Sequence, residues 1–508
     1  MTNPLELLAG LRADLERADY TVEGVGALVG DVASAALDRE QALPALRAVE
    51  GSDAPAAVLL RCVTLGRPVT RAALDAALPR TGTAGLASLG LVAAAGQAPQ
   101  DEVRPLVDLR PYAVADAAGT ANWWLVSDLG ELATGTALAP DHVLGVGGAS
   151  LTLASATVRT PVDRVLDIGT GCGIQALHAS RHAGRVVATD TSERALDLAA
   201  VNAALNDVRL DLRQGSLLDP VEEGERFGLV VSNPPFVITP RGGAVPTYEY
   251  RDGGMAGDSL VAYLVGRVGD VLVPGGVAQL LGNWEVREGE HWSERLTGWL
   301  EGTGLDAWVV QREVADPALY AETWIRDGGQ RPGPAFDDLY SAWLDDFAAR
   351  GVTGVGFGIL TLRRPEVADA SSRARLRRFE EVLAPLSDPL GEVFAAGLAA
   401  HDVLAGTDDA ALADLALTVA PDVTDERFHT PGDPDPRIVL LRQGGGLRRV
   451  VQVDGDLAGL VGACDGELTV GQIAAGLAVL LEEDAAPLRA RLLLRVRDLV
   501  QDGLLRLP

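Results

Sequence analysis

The segment that most restricts the fold of this chain is a short apolar strand that runs directly into a glycine-rich turn. Residues 165–173 read VLDIGTGCG, and a helical stretch, IQALHASRHA, follows them. A buried strand, a glycine turn and a helix in this order are typical of doubly wound α/β sheets, in which glycines let the backbone approach a ligand closely. The pattern therefore predicts an α/β core with a binding site at the carboxyl edge of its strands.

Short apolar runs alternate with helical stretches from about residue 120 to residue 365. The predicted strands are, in chain order, RVLDIG, RVVATD, VRLDLRQG, FGLVVSN, GGVAQLLGN, DAWVVQREV and GFGILTLRR. Six of these seven fit a doubly wound sheet with helices between the strands. Residues 320–350, with Trp324 and Trp343, are predicted to be an insertion that either covers the substrate side or supplies ordinary packing.

Two α+β modules are predicted to flank this core, which gives domains at residues 1–118, 119–368 and 369–508. The first module is predicted to contain short helices, one of them capped by Thr70, and then a hairpin. The last is predicted to begin with an Arg-rich helix, SRARLRRFEEVLAPL, and to continue with a hairpin and three helices. Both modules resemble winged helices, which bind DNA in many proteins and pair subunits or cover substrates in others.

The formal net charge of −28 limits the choice of partner. An enzyme that binds nucleic acid normally carries a basic surface, because its basic side chains neutralise phosphates. Two Arg clusters, at residues 373–378 and 442–449, are predicted to be solvated faces rather than phosphate-binding patches. An acidic surface fits a basic protein partner better.

Cysteine and histidine usage and hydropathy exclude further classes of protein. Cys62, Cys172 and Cys464 lie far apart, and the six histidines are scattered. We therefore expect no disulfide framework and no metal site. The first residues lack a basic segment followed by an apolar stretch, and no apolar run reaches about 18 residues, so we expect a cytoplasmic protein without a membrane-spanning helix.

Two carboxylates are placed to contact a ligand at the sheet edge. Asp167 precedes glycines that are spaced G-x-G-x-G, so a bound pyrophosphate would be repelled and a cationic amine attracted. Asp190 ends the next predicted strand, where a carboxylate can accept hydrogen bonds from ribose hydroxyls. Ser192 is predicted to cap the helix that follows. Taken alone, this pattern also fits a general nucleotide-binding fold.

The sharpest motif is VSNPPF at residues 231–236, which ends the fourth predicted strand. Consecutive prolines fix φ and remove backbone donors, while their carbonyls stay available. An NH₂ group needs two acceptors to hold both hydrogens, and the Asn233 side-chain oxygen and the Pro234 carbonyl can supply them. Phe236 can stack on a flat substrate. A simple strand-ending turn is the alternative, and the position of the motif after the fourth strand argues against it.

GTGCG followed by NPPF resembles the class I S-adenosylmethionine-dependent methyltransferases of the small N-methyltransferase group. The resemblance covers about residues 120–365 and implies a Rossmann-like core with S-adenosyl-L-methionine as cofactor. It implies that the acceptor nitrogen lies at Asn233, Pro234, Pro235 and Phe236. The cofactor-binding residues that it implies are Asp167, Gly169, Thr170, Gly171, Gly173, Ile174, Asp190, Thr191, Ser192, Gly215, Ser216 and Asn233.

The acceptor stays open among several classes. The small N-methyltransferase group includes release-factor glutamine methyltransferases and the adenine or guanine exocyclic-amine methyltransferases of RNA and DNA. We expect a nucleic-acid base, in RNA rather than DNA, because the flanking modules resemble nucleic-acid readers. A protein glutamine amide is the alternative, since the segment after NPPF resembles that of the glutamine enzymes. A small-molecule acceptor or a non-catalytic scaffold is also possible, and the oligomeric state is left open.

Overall fold

The computed structural model describes residues 3–135, 138–242, 245–246, 248–366 and 375–508, and these form two compact units. The first unit comprises Met1–Ala154, Pro161–Thr303 and Glu313–Arg364, and the second comprises Ser155–Thr160, Gly304–Arg312 and Pro365–Pro508. The predicted domain boundaries stay predictions: the one at 118/119 falls in the turn of a hairpin, and the one at 368/369 lies outside the described residues. Within the described ranges, no helix is long and apolar enough to cross a membrane.

Short helices and two small sheets build the N-terminal part of the first unit. Its helices are α1 (Pro4–Arg17), α2 (Val22–Val29), α3 (Asp31–Leu37), α4 (Ala42–Ala48), α5 (Pro55–Leu59), which continues as a π-helical turn (Leu60–Thr64), α6 (Arg71–Ala77), α7 (Gly82–Ser88) and α8 (Glu131–Thr134). Its strands are β1 (Val69–Thr70), β2 (Val92–Ala94), β3 (Glu102–Pro105), β4 (Asp108–Asp116) and β5 (Gly119–Ser127).

Two features predicted for this part are confirmed. The Thr70 hydroxyl caps α6 by accepting the Ala73 amide at 3.3 Å. Strands β4 and β5 form the predicted antiparallel hairpin. A further small sheet has the strand order β1-β3-β2. Strand β1 lies just before α6, and β2 and β3 form an antiparallel hairpin after α7. The resemblance of this module to a winged helix stays a prediction.

The central part of the chain alternates strands and helices as predicted. Its strands are β6 (Val162–Ile168), β7 (Ala183–Asp190), β8 (Asp211–Gln214), β9 (Phe227–Ser232), β10 (Leu272–Arg287), β11 (Asp306–Ala315) and β12 (Val352–Arg363). Its helices are α9 (Gly148–Ala156), α10 (Ile174–Ala179), α11 (Glu193–Leu205), α12 (Ser259–Arg267), a 3₁₀ turn (Val268–Val271), α13 (Trp292–Leu300), α14 (Pro317–Asp327) and α15 (Pro334–Ala349).

The sheet of the first unit has the order β12-β10-β9-β6-β7-β8, with β12 antiparallel to β10 and the other pairs parallel. The chain begins in the middle at β6, moves outward to β8 and returns at β9 on the opposite side. This is the predicted doubly wound, Rossmann-like fold. Ligands bind where the strand order reverses in such sheets, which here is between β6 and β9.

The second unit adds a small sheet and a cluster of helices. Its elements are β13 (Arg377–Glu381), α16 (Gly391–Ala405), α17 (Asp409–Ala413), β14 (Thr418–Val419), β15 (Val423–His429), β16 (Pro436–Gln443), β17 (Val450–Val453), α18 (Gly455–Gly462), α19 (Val470–Leu481), α20 (Ala485–Gln501) and β18 (Leu505–Arg506). The predicted hairpin, β16–β17, and the three helices after it are confirmed. Strand β15 pairs with the other edge of β16.

The predicted Arg-rich helix at the start of this unit is wrong, because its centre is strand β13, which pairs in parallel with the first residues of β11. Side chains on one face of β13 explain why this segment forms a strand and not a helix. The Arg378 guanidinium lies 4.8 Å from the centre of the Trp308 ring, and Glu380 accepts the Trp308 indole N–H at 2.6 Å. Main-chain pairing and this cluster outweigh the local preference for a helix.

The same cluster corrects the prediction of solvated Arg faces for Arg378 and Arg449, whereas Arg377, Arg442 and Arg448 are exposed as predicted. Arg378 and Arg449 are only 16% and 9% exposed, and both pair with Glu380 and Asp502. These two guanidinium groups are therefore used inside the protein and are not available to neutralise phosphates. Arg373 lies outside the described residues.

Packing around Trp308 gives a test of the second unit. A Cβ on Gly397, in the middle of α16, would overlap the Trp308 ring. We expect Gly397→Ala to lower the free energy of unfolding by about 1–3 kcal/mol through overpacking, although alanine is intrinsically better than glycine in a helix. Thermal and urea denaturation measure the change.

Gly476→Ala in α19 is the matched control, since a Cβ there meets no atom within 4 Å. This variant should be unchanged or more stable by up to about 1 kcal/mol. If both variants are stabilised alike, the described packing of α16 against Trp308 is incorrect.

Candidate active site

Three sequence motifs meet at the carboxyl edge of the central strands. Strand β6 lies between β7 and β9, and the register aligns Ile168 with both Thr189 and Ser232. The residues that follow each strand therefore arrive at the same edge, on both sides of the point where the strand order reverses. This places the glycine loop, Asp190 and Asn233 together, as predicted for a ligand site in an open α/β sheet.

The glycine loop between β6 and α10 uses its three glycines in two different ways. Gly169, Gly171 and Gly173 have φ values of 70°, 55° and 90°, which side chains disfavour. A Cβ on Gly169 or Gly171 would meet no atom within 4 Å, whereas one on Gly173 would lie 3.2 Å from the Ala199 Cβ. The first two glycines thus border open space, and the third allows α11 to approach the loop.

Asp167 is buried directly beneath this loop, with 1% of its surface exposed. One carboxylate oxygen accepts a hydrogen bond from the Thr170 hydroxyl at 2.6 Å. The other, Oδ1, has no hydrogen-bond partner within the part of the chain that the structure describes. Burial raises the pKa of Asp167 to about 7, and the Thr170 hydrogen bond opposes that rise.

Asp190 joins the end of β7 to the glycine loop. Its two carboxylate oxygens accept the amides of Gly171 and Ser192, each at 2.9 Å. Burial raises the pKa of Asp190 and these backbone hydrogen bonds oppose the rise. The Ser192 hydroxyl caps α11 by accepting the Ala195 amide at 3.4 Å, as predicted. Asp190 keeps lone pairs that can accept further donors.

The other residues that were predicted from the sequence to bind the cofactor follow the strands at this edge or begin the next helix. The Gly215 amide donates to the Asp190 carbonyl at 2.9 Å, and a Cβ on Gly215 would lie 2.5 Å from the Pro220 ring. The Ser216 and Thr191 carbonyls accept the Asp219 amide and the Gln214 side chain. The Ile174 side chain is buried in the hydrophobic core.

The NPPF segment leaves β9 beside a small cavity. The Asn233 side chain is half-buried, and no hydrogen bond to it occurs among the described residues. The Phe236 ring packs on Phe357, with centroids 5.4 Å apart. The cavity measures about 200 Å³. Its apolar lining residues are Pro235, Phe236, Val237, Met255, Leu260 and Val261.

Residues from the 320–350 insertion support this segment through contacts that no sequence pattern predicted. The Tyr320 hydroxyl accepts the Ile238 amide at 3.0 Å and the Asn283 side chain at 2.5 Å. Trp343 is buried in the cluster that includes Ile238. These contacts link residues 37 and 82 positions apart, so no local pattern marks them. They support the packing alternative for this insertion.

Two family models match the chain. One is described as a methyltransferase small domain and matches residues 146–242, which include β6 to β9, the glycine loop and NPPF. The chain contains a class I methyltransferase domain. Its cofactor is S-adenosylmethionine. The second model is described as a domain of unknown function (DUF7059) and matches residues 17–106, upstream of the methyltransferase domain.

Similar curated proteins match part of the chain. The release factor glutamine methyltransferase of Koribacter versatilis is 35% identical over 122 residues, which is 22% of this chain and 43% of that protein. That of Deinococcus radiodurans is 38% identical over 130 residues, or 24% and 46%. The ribosomal protein uL3 glutamine methyltransferase of Bradyrhizobium diazoefficiens is 32% identical over 169 residues, or 31% and 52%. The chain thus spans about half the length of these relatives.

Proposed function

We propose that this protein methylates the side-chain amide nitrogen of a glutamine in a protein substrate. The observation that carries the proposal is the Asn233 side-chain amide, which has no partner among the described residues and lies two residues before Pro235, where a cavity with apolar and charged lining begins. The glutamine methyltransferases among its relatives support the same acceptor.

The residues of the sheet edge fit S-adenosylmethionine. We assign the free Oδ1 oxygen of Asp167 to the cationic amine of the cofactor, because a buried carboxylate without a second partner favours a positive group. Gly169 and Gly171 leave room for its backbone contacts, and Asp190 offers lone pairs to the ribose hydroxyls. When bound, the cofactor supplies an already activated methyl group.

The protein itself contributes to the reaction by orienting the acceptor nitrogen. The Asn233 side-chain oxygen and the Pro234 carbonyl accept the two hydrogens of an NH₂ group and thereby direct its lone pair. Because neither proline has an N–H, no backbone donor competes for the acceptor at this turn. Such preorganised acceptors stabilise the positive charge that develops on nitrogen, so no strong base is required, and the proton leaves to water.

The cavity favours one side chain of a larger substrate. Its wall combines the apolar side chains of Leu260 and Val261 with the charged side chains of Arg241 and Asp258. Leu260 and Val261 suit the aliphatic stem of a glutamine. We assign its polar end to Asn233, two residues before Pro235 of the cavity wall. A free natural product as acceptor is less well supported.

Charge argues against the nucleic-acid base that the sequence pattern favours. The net charge is −28, and Arg378 and Arg449 are held in internal ion pairs. A protein acceptor with a basic surface suits such an enzyme better than RNA does. The base acceptor is therefore the competing outcome in the experiment below.

Transfer of labelled methyl groups tests the acceptor. The full-length chain is incubated with labelled S-adenosylmethionine and lysate from a strain that lacks it, and the products are divided between nuclease and protease treatment. We expect label that is lost only with protease and that is recovered as N-methylglutamine after complete enzymatic digestion, which leaves the side-chain amide intact. Label that is lost only with nuclease would overturn the amide proposal in favour of a base.

Substitution of Asn233 tests the acceptor site itself. We expect Asn233→Ala to lower kcat by about 10²-fold or more, because one of two preorganised contacts to the reacting group is removed. Its affinity for S-adenosylhomocysteine, measured by calorimetry, should match that of the native protein. Full activity in this variant would refute the assignment of Asn233.

Ionisation of Asp167 gives a pH-dependent prediction. Only the carboxylate attracts the amine, and the pKa of about 7 means that its ionised fraction is small near pH 6. From about pH 6 to about pH 7.5 the apparent affinity for S-adenosylmethionine should rise about eightfold, in step with that fraction. Asp167→Asn should bind weakly and lose this dependence. An equal slope in both proteins would contradict the assignment.

A further inference from the structure

The free edge of β5 is paired by side chains of helix α11 and not by a third strand. Trp124 and Val126 each exchange two hydrogen bonds with one asparagine. Asn206 accepts the Trp124 amide at 2.9 Å and donates to its carbonyl at 2.8 Å. Asn202 accepts the Val126 amide at 2.7 Å and donates to its carbonyl at 2.8 Å. The two side-chain amides thus take the place of a neighbouring strand.

The spacing of these residues explains why two side chains of a helix can pair with the edge of a strand. Residues four apart in a helix are separated by about 6 Å along its axis. Residues two apart in a strand are separated by about 6.7 Å. A primary amide carries the same donor and acceptor as a peptide group, so Asn202 and Asn206 satisfy a strand edge that would otherwise be left unpaired.

Asn202 makes one further hydrogen bond, to the glycine loop between β6 and α10. Its side-chain nitrogen also donates to the Cys172 carbonyl at 2.8 Å. Cys172 lies between Gly171 and Gly173, and Asn202 is completely buried. Asn206 gives its second hydrogen to the Asn202 carbonyl instead. One buried amide therefore contacts both the hairpin and the loop that borders the cofactor.

Behind the hairpin lies the module of unknown function. The Trp124 indole donates to the Tyr20 carbonyl at 2.6 Å, and the Tyr20 hydroxyl is hydrogen-bonded to Thr64 at 2.6 Å. At the turn of the hairpin, Arg181 at the end of α10 pairs with Asp116 at 2.6 Å. The hydrophobic core is continuous across this contact, with side chains of α1, β4 and β5 in one cluster with those of α10 and α11.

We propose that Asn202 is a positioning residue that couples the N-terminal module to the cofactor site. Docking of the β4–β5 hairpin fixes the Asn202 amide, which holds the Cys172 carbonyl and with it the glycine loop in the shape that accepts S-adenosylmethionine. The module that contains residues 17–106 therefore sets the affinity for the cofactor. This rests on the cofactor site of the proposed function and is independent of the acceptor.

Calorimetric titration with S-adenosylhomocysteine tests the coupling, with Asn206→Ala as the matched control for Asn202→Ala. Both variants unpair one residue of β5, so both should unfold at a lower temperature. We expect Asn202→Ala to weaken binding about tenfold, a usual size for coupling between sites, and Asn206→Ala to leave it close to native. KM for the cofactor should rise in the first variant, with kcat at saturation retained.

Hydrogen exchange on the native protein gives a second measurement that needs no variant. Coupling is reciprocal, so cofactor binding must tighten the docking of the hairpin. The amides of Trp124 and Val126 should exchange more slowly when S-adenosylhomocysteine is bound.

Equal losses of affinity in the two variants, or no change in either, would overturn the proposal, as would unchanged exchange at β5. If Asn202→Ala does not fold, the exchange measurement decides. Failure of the native protein to bind S-adenosylhomocysteine would instead refute the cofactor site, and with it the proposed function.

Discussion

Parallel main-chain pairing of β6 with β7 and β9 is the interaction on which the rest of the structure depends. Because the three strands end in register, the residues that follow them reach one edge of the sheet without further guidance. Buried neighbours on both faces prevent a slip of one residue, which would turn the apolar side chains of β6 to the wrong side. The geometry of the site is thus a consequence of how the core packs.

Sequence patterns predicted the parts of the molecule that are determined by interactions between residues close together in the chain. The caps at Thr70 and Ser192 accept amides three residues away, and the glycine loop and the NPPF turn are marked by the backbone preferences of their own glycines and prolines. Strand β13 was missed because its Arg- and Glu-rich sequence suits a helix, while the indole that it contacts lies 72 residues earlier. Asn202 was missed for the same reason, since its partners lie 30 and 76 residues away.

Three arginine side chains are used in ion pairs inside the protein. Arg181, Arg378 and Arg449 are largely buried and bind carboxylates of their own unit. Each of these arginines is withdrawn together with a carboxylate, so the excess of negative charge stays on the rest of the surface. The surface that meets a substrate is therefore set by the distribution of the arginines as well as by their number, and it favours basic partners.

The four-residue spacing between Asn202 and Asn206 has a consequence for how such chains can change over generations. One residue gained or lost between them would turn one asparagine by about 100° around the helix and away from the strand. A recombination event that brought in a different N-terminal module would have to bring a strand whose edge meets both asparagines. The module and this helix are thereby constrained to be inherited, and to vary, as a single piece.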